Sequence, residues 1–143
     1  MPEILHDFPT RAPIARVFEA ISTPAGLDEW WTERACGSNA DGAVLDLHFG
    51  PEYHWQATVT RCLAPRYFEL TMTSAADDWL GSRIAFVLSE RDGMTWVRFS
   101  HSGWPEVDEH YRTSSYCWAM YLRILKRHLE YGESVPYQRR LEV

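Results

Sequence analysis

His101 is the side chain in this sequence best placed for acid–base chemistry. It follows Thr95, Val97 and Phe99 at strand alternation, so all four fall on one face, which reads as the inner one. An imidazole turned inward beside a pocket can orient a ligand or move a proton near neutral pH. A core histidine bonded to its surroundings fits the same pattern, because buried polar groups normally find partners. Tyr111 and Tyr116 would supply hydrogen-bond donors to an enzyme of cyclase or hydrolase type built around His101. His48 and His54 flank the Gly50-Pro51 turn and would face each other across a hairpin. Both fall on the outer face with no evident further ligands, and a structural zinc usually takes about four, so no metal is expected. Cys36, Cys62 and Cys117 are odd in number and lack CxxC spacing, so neither a disulfide framework nor a zinc knuckle is signalled. Cys117 reads as a buried inert thiol. Asp77-Asp78 and the run Glu106, Asp108, Glu109 read as solvated charge rather than a catalytic pair. No GxSxG elbow, P-loop or GxGxxG occurs, and no cofactor is expected.

The stronger signal is aromatic. Aromatic residues make up 14% of the 143, with 7 Trp, and such side chains build cores and line pockets for flat or greasy ligands. Trp30 and Trp31 suit a pocket mouth, and Trp55 is on the inward row of its strand with Tyr53. Phe86 and Phe99 line the inner face beside His101, and Trp104 in Ser102-Gly103-Trp104-Pro105 is placed for a lid or a helix staple. Tyr111, Ser114, Ser115 and Trp118 mix small and large amphipathic residues on one stretch, which leaves room beside polar tips. These are the candidate ligand-binding residues. The formal charge is -6, and the only basic clusters, Lys126-Arg127 and Arg139-Arg140, are too sparse for nucleic acid.

The elements that must position these residues follow from periodicity. Ile4 to Phe8 reads as a strand. Pro13 opens a helix carrying Ile14, Val17, Phe18 and Ile21 on one face, with Pro13 in its first turn. Thr23 as N-cap and Pro24 start a second, short helix bearing Leu27, Trp30 and Trp31. Strands then follow around Ala43–Phe49, Tyr53–Arg61, Phe68–Met72, Ile84–Leu88 and Thr95–His101, with Asp92-Gly93 as a hairpin turn. Ser74 to Asp78 reads as a polar connection. From Asp108 to Tyr131 there is no Gly or Pro, and Gly132 sits where a C-terminal cap belongs. Tyr111, Ser115, Trp118, Leu122, Leu125 and Leu129 form one stripe on a helix ~35 Å long. The class is α+β: a curved antiparallel sheet wrapped around a long C-terminal helix, with two short helices after the first strand, in one domain over residues 1–143.

That order of elements resembles the START-like, or SRPBCC, superfamily. Within it the chain is most similar to the family named after the activator of the heat-shock chaperone ATPase. The matching segments are APIARVFEAIS from Ala12, TPAGLDEWW from Thr23, VRFSHSGWP from Val97 and WAMYLRILKRHLEYGESVP from Trp118. The resemblance implies a helix-grip fold with a cavity between sheet and long helix. Relatives bind lipids, sterols, polyketides or plant hormones, and some are cyclases or oxygenase subunits. No iron-ligand or Rieske pattern is present. The expected function is therefore binding of a small hydrophobic or aromatic molecule, with a cyclase- or hydrolase-like enzyme and a chaperone-associated protein as alternatives. A homodimer and a chaperone are further expected partners. The N-terminus MPEILHDFP has no basic region before an apolar run, so no secretory signal is expected, no stretch approaches the roughly 20 apolar residues of a membrane span, and the expected location is the cytoplasm.

Overall fold

A computed structural model describes residues 2–143. Its seven strands are β1 (Ile4–Thr10), β2 (Arg34–Gly37), β3 (Val44–His48), β4 (His54–Leu63), β5 (Tyr67–Ser74), β6 (Arg83–Arg91) and β7 (Met94–Ser102). The helices are α1 (Ile14–Ser22), α2 (Pro24–Asp28) and α3 (Glu109–Tyr131), and a 3-10 segment spans Tyr137–Glu142. All strands pair antiparallel in the order β1-β7-β6-β5-β4-β3-β2. This is the helix-grip arrangement: a curved open sheet whose buried face meets α3.

Alternation accounts for the sheet's buried face. Leu45 and Leu47, Ala57 and Val59, Phe68 and Leu70 and Met72, Ile84 and Phe86 and Leu88, and Val97 and Phe99 and His101 are all buried. Register shifts at Gln56/Ala57 and Val59/Arg61 in β4 help bend the sheet. Asp92 and Gly93 adopt φ of 55° and 75°, the left-handed pair that a two-residue hairpin turn of this type demands.

Several element boundaries differ from expectation. The first strand continues through Pro9 to Thr10, because β1 lies at the sheet edge, where a missing N–H breaks no ladder. β2 carries no expectation from sequence: it is four residues long, at the opposite edge, with only Ala35 buried. Pro13 is the N-cap of α1 rather than a residue of its first turn, and its carbonyl accepts from Arg16 and Val17. α2 ends at Asp28, so Trp30 and Trp31 lie beyond it in the following turn. Thr23 caps α2 as expected, its Oγ1 accepting from the Gly26 N–H at 3.0 Å.

Gly26 marks a close approach of α2 to α1. A Cβ there would run into the Glu19 carbonyl and the Ala20 backbone, which cannot move aside like a side chain. Gly26→Ala is expected to cost about 1–3 kcal/mol of stability, read from the urea midpoint. A neutral or stabilising effect, as alanine ordinarily has over glycine in a helix, would contradict that packing.

α3 is capped at both ends. The Asp108 carboxylate accepts from the Tyr111 N–H at 2.9 Å, and Gly132 closes the helix at φ 68°. Its buried stripe is Ser114, Trp118, Leu122, Leu125 and Leu129. At the helix start Ser114 takes the position expected for Ser115, whose carbonyl instead meets His6 Nε2 at 3.2 Å on the β1 side. No helix among the described residues is long and apolar enough to cross a membrane.

Candidate functional site

Aromatic rings take up the space between the sheet and the first half of α3. Trp30, Phe86, Phe99, His101, Trp104 and Trp118 are each at most 2% exposed. Phe99 meets Trp118 at 4.6 Å between ring centroids, and Phe86 meets Phe99 at 5.3 Å. The Trp30 indole donates to the Ala20 carbonyl at 2.9 Å. Trp104 packs edge-on to Tyr111 at 5.3 Å, and its indole nitrogen has no partner. The Tyr111 hydroxyl donates to the Glu3 carbonyl at 2.6 Å.

His101 sits inside this layer with both ring nitrogens engaged. The Trp118 indole N–H donates to Nδ1 at 3.1 Å, so Nδ1 is the acceptor and the proton sits on Nε2. Nε2 then donates to Ser82 Oγ at 2.8 Å, and the Ser82 hydroxyl donates in turn to the Trp79 carbonyl at 2.5 Å. Burial, with a smaller contribution from His110, takes the pKa of His101 down to about 3. The ring is neutral and fully occupied as a tie between β7, the β5–β6 connection and α3. Tyr116, the other donor considered beside it, is 76% exposed.

A pocket of about 400 Å3 lies outside this layer, between the first half of α3 and the ends of β3 and β4. Eight rings form its wall: Trp31, Phe49, Tyr53, Trp55, Trp79, Trp118, Tyr121 and Tyr137. His110, Thr113, Ser114 and Cys117 present one side of α3 to it, and Ala76 completes the rim. Of the residues singled out from sequence, Trp31, Tyr53, Trp55, Ser114 and Trp118 come together here. Trp30, Phe86, Phe99, His101 and Trp104 lie in the sealed layer behind, Tyr111 packs on Trp104 and is tied to Glu3, and Ser115 faces β1.

Trp79 joins the two regions and carries no expectation from sequence. It follows the polar run Ser74–Asp78, where periodicity says nothing, and a bulky ring in such a turn was the available signal. It lies parallel to Trp118 (6.0 Å, 18°), meets Trp55 at 5.0 Å and abuts His101 at 4.5 Å. Trp31 in turn meets Trp118 and Phe49, each at 5.2 Å. Tyr137 reaches the pocket because Arg140 anchors the 3-10 segment. The buried Arg140 guanidinium donates to the carbonyls of Asp28, Thr32 and Val135 at 2.7, 3.1 and 3.0 Å. Carbonyls at the end of α2 are a favourable seat for a cation.

The polar groups of the pocket are mostly neutral. Burial pushes the Tyr121 phenol up to about 12 and raises that of Tyr137, so both remain hydroxyl donors at neutral pH. Burial also raises the Cys117 thiol, which disfavours the nucleophilic thiolate. His110 Nδ1 lies 2.6 Å from Asp78 Oδ2. On the outer face the His48 and His54 rings stack at 4.2 Å, and His54 Nε2 pairs with Asp46 at 2.8 Å. Asp46 shares that face with His48, and hydrogen bonds from Gln56 and His54 hold its carboxyl below the usual range. The described residues hold no group of three or more side chains placed to share a metal ion.

The model of the family described as "Activator of Hsp90 ATPase homolog 1-like protein" matches residues 11–130. The chain belongs to this family. The match runs from the residue before Ala12 nearly to the end of α3, so it contains both short helices, six of the seven strands and most of the site. Among solved structures, the chain is similar to the Aha1 dimer from Colwellia psychrerythraea, at 27% identity and a TM-score of 0.86, covering 94% of this chain and 100% of that one. It has the fold of a Staphylococcus saprophyticus protein at 18% identity and TM-score 0.78, covering 94% and 96% of the two chains. It also has the fold of a Bacillus halodurans protein at 23% identity and TM-score 0.76, covering 91% and 98%. Family and neighbours place the chain in the START-like class. A search of curated proteins finds no match.

Proposed function

We propose that this chain is a binding module for a small hydrophobic, aromatic molecule. The observation that carries the reading is the pocket wall: eight aromatic rings around about 400 Å3, with few polar groups among them. That volume falls in the roughly 300–1,000 Å3 range of small-molecule sites, and aromatic walls with a few placed polar groups are their usual lining. The ligand lies against the outside of the Trp79–Trp118 partition rather than beneath α3, because the space beneath α3 is filled. The absence of a free nitrogen on His101 weighs against the cyclase- or hydrolase-like alternative built on it. Three unpaired cysteines suit a reducing compartment such as the cytoplasm.

Titration with the neutral fluorophore 1-aminoanthracene tests the reading. It should bind saturably at one site and quench tryptophan emission. Thr113 is exposed and lines the pocket, so Thr113→Trp fills the site without disturbing the core. That variant should fold normally and lose at least tenfold in affinity, about 1.4 kcal/mol. Unchanged affinity in Thr113→Trp, or no saturable binding by the native chain, overturns the proposal.

A partner-protein reading is favoured by family membership and by the dimeric Colwellia neighbour. It predicts a concentration-dependent dimer in sedimentation and retention on the chaperone whose ATPase names the family. A monomer at all concentrations that is not retained would contradict it.

A further inference from the structure

Among the hydroxyls, thiol and imidazole that line the pocket, His110 has its direction set by a hydrogen bond to another side chain. Asp78 is a carboxylate and can only accept, so the 2.6 Å contact places a proton on His110 Nδ1. In the neutral ring this leaves Nε2 as a hydrogen-bond acceptor with no partner among the described residues. The ring is held flat against Trp79 (6.4 Å, 25°) and edge-on to Trp104 (5.7 Å, 78°), so it is braced on two sides as well as bonded at one nitrogen. Ser114, buried one helical turn further along α3, adds a hydroxyl to the same wall. No Lys or Arg lines the pocket. An anionic ligand placed there would be desolvated without a counter-charge, and the Asp78 carboxylate behind His110 would repel it.

Building on the proposed binding function, we infer that the pocket selects an aromatic ligand carrying a hydroxyl and no carboxylate, with His110 Nε2 accepting from that hydroxyl. His110 touches the ligand, and Asp78 positions His110. A phenolic or enolic proton then has a partner at the pocket wall, a plain aromatic hydrocarbon gains only stacking, and a carboxylate is rejected.

Three probes of matched shape separate these outcomes: naphthalene, 2-naphthol and 2-naphthoate, titrated at about pH 8, where a phenol keeps its proton and a carboxylic acid does not. Native protein should bind 2-naphthol roughly five- to tenfold more tightly than naphthalene, the scale of one hydrogen bond. It should bind 2-naphthoate more weakly than either. His110→Phe should retain naphthalene binding and lose the preference for naphthol. Nitrogen NMR of the His110 ring should show the Nδ1–H tautomer in the native protein and its loss in Asp78→Ala, which removes the acceptor, together with part of the naphthol preference. Equal binding of naphthol and naphthoate, or a naphthol preference that survives in His110→Phe, overturns this inference while leaving the binding module intact. Failure of all three probes to bind overturns both.

Discussion

Trp118→Ala is expected to remove about 3–5 kcal/mol of stability by truncating a buried indole, with about 1–3 kcal/mol more from the acceptor it orphans. The indole is 2% exposed and touches Trp31, Trp79, Phe99 and Tyr121. It is also the donor to His101 Nδ1, which would remain buried with no partner. A loss of this size is a large part of the roughly 5–15 kcal/mol that holds an ordinary domain together, so the variant should be partly unfolded at physiological temperature. Trp118→Phe separates the two contributions. It keeps most of the ring, loses the hydrogen bond and should cost about 1–3 kcal/mol in urea unfolding at neutral pH. A Phe variant as stable as the native chain would show that the indole–imidazole bond contributes nothing.

Mild acid should destabilise the protein through His101, by an amount comparable to a severe mutation. The folded pKa is depressed to about 3, whereas the unfolded imidazole titrates near 6.5. Between those values the unfolded chain binds more protons than the folded one, so stability rises with pH across that window. The contribution is complete above the unfolded value and is lost progressively as pH falls below it. Acidifying from about pH 6.5 to about pH 4.5 should remove about 2–3 kcal/mol, at ~1.4 kcal/mol per unit. Glu69 and Glu130 also have lowered pKa values, but carboxylates add their losses mainly at the acid end of this range and below it. His101→Gln keeps hydrogen-bonding capacity without titrating. Its urea midpoints should be flatter from pH 6.5 to 4.5 than those of the native protein, whatever its baseline stability. Parallel pH profiles for the two proteins would contradict the sealed, neutral assignment of His101.

The fold was legible wherever one face of an element is buried and the other wet. Leu45 and Leu47, Phe68 to Met72, and Val97 to His101 alternate because each strand packs one row into the core beneath the helices, and that row is visible in the residues alone. β2 was not legible, because a four-residue edge strand with only Ala35 buried has no period to read. Ser114 and Ser115 are both small, so the turn of α3 that faces the core could not be told from its neighbour by residue type.

The site was less legible than the fold, and the reason is geometric. Trp31, Trp55 and Trp118 were identified as aromatic candidates, and they do share a wall. The ring that organises that wall, Trp79, sits in a turn. Tyr137 arrives from the far end of the chain because Arg140 is bonded to carbonyls at Asp28 and Thr32. Periodicity places residues on faces of regular elements and has nothing to say about rings delivered by turns and tails. His101 illustrates the converse. Its strand face was readable, but whether it met a ligand or a second buried side chain depended on how Trp79 and Trp104 closed over it.

The central claim is that the ligand site is the ring-walled pocket outside the Trp79–Trp118 partition and not a cavity within. Its most direct test is a proton–nitrogen NMR titration that follows the seven indole N–H signals while 1-aminoanthracene is added. The signals of Trp31, Trp55, Trp79 and Trp118 should shift saturably with one common affinity, while those of Trp30 and Trp104, sealed behind them, and of Trp96 should stay in place. Shifts centred on Trp30 and Trp104, or no saturable shift in the four pocket signals, would contradict it.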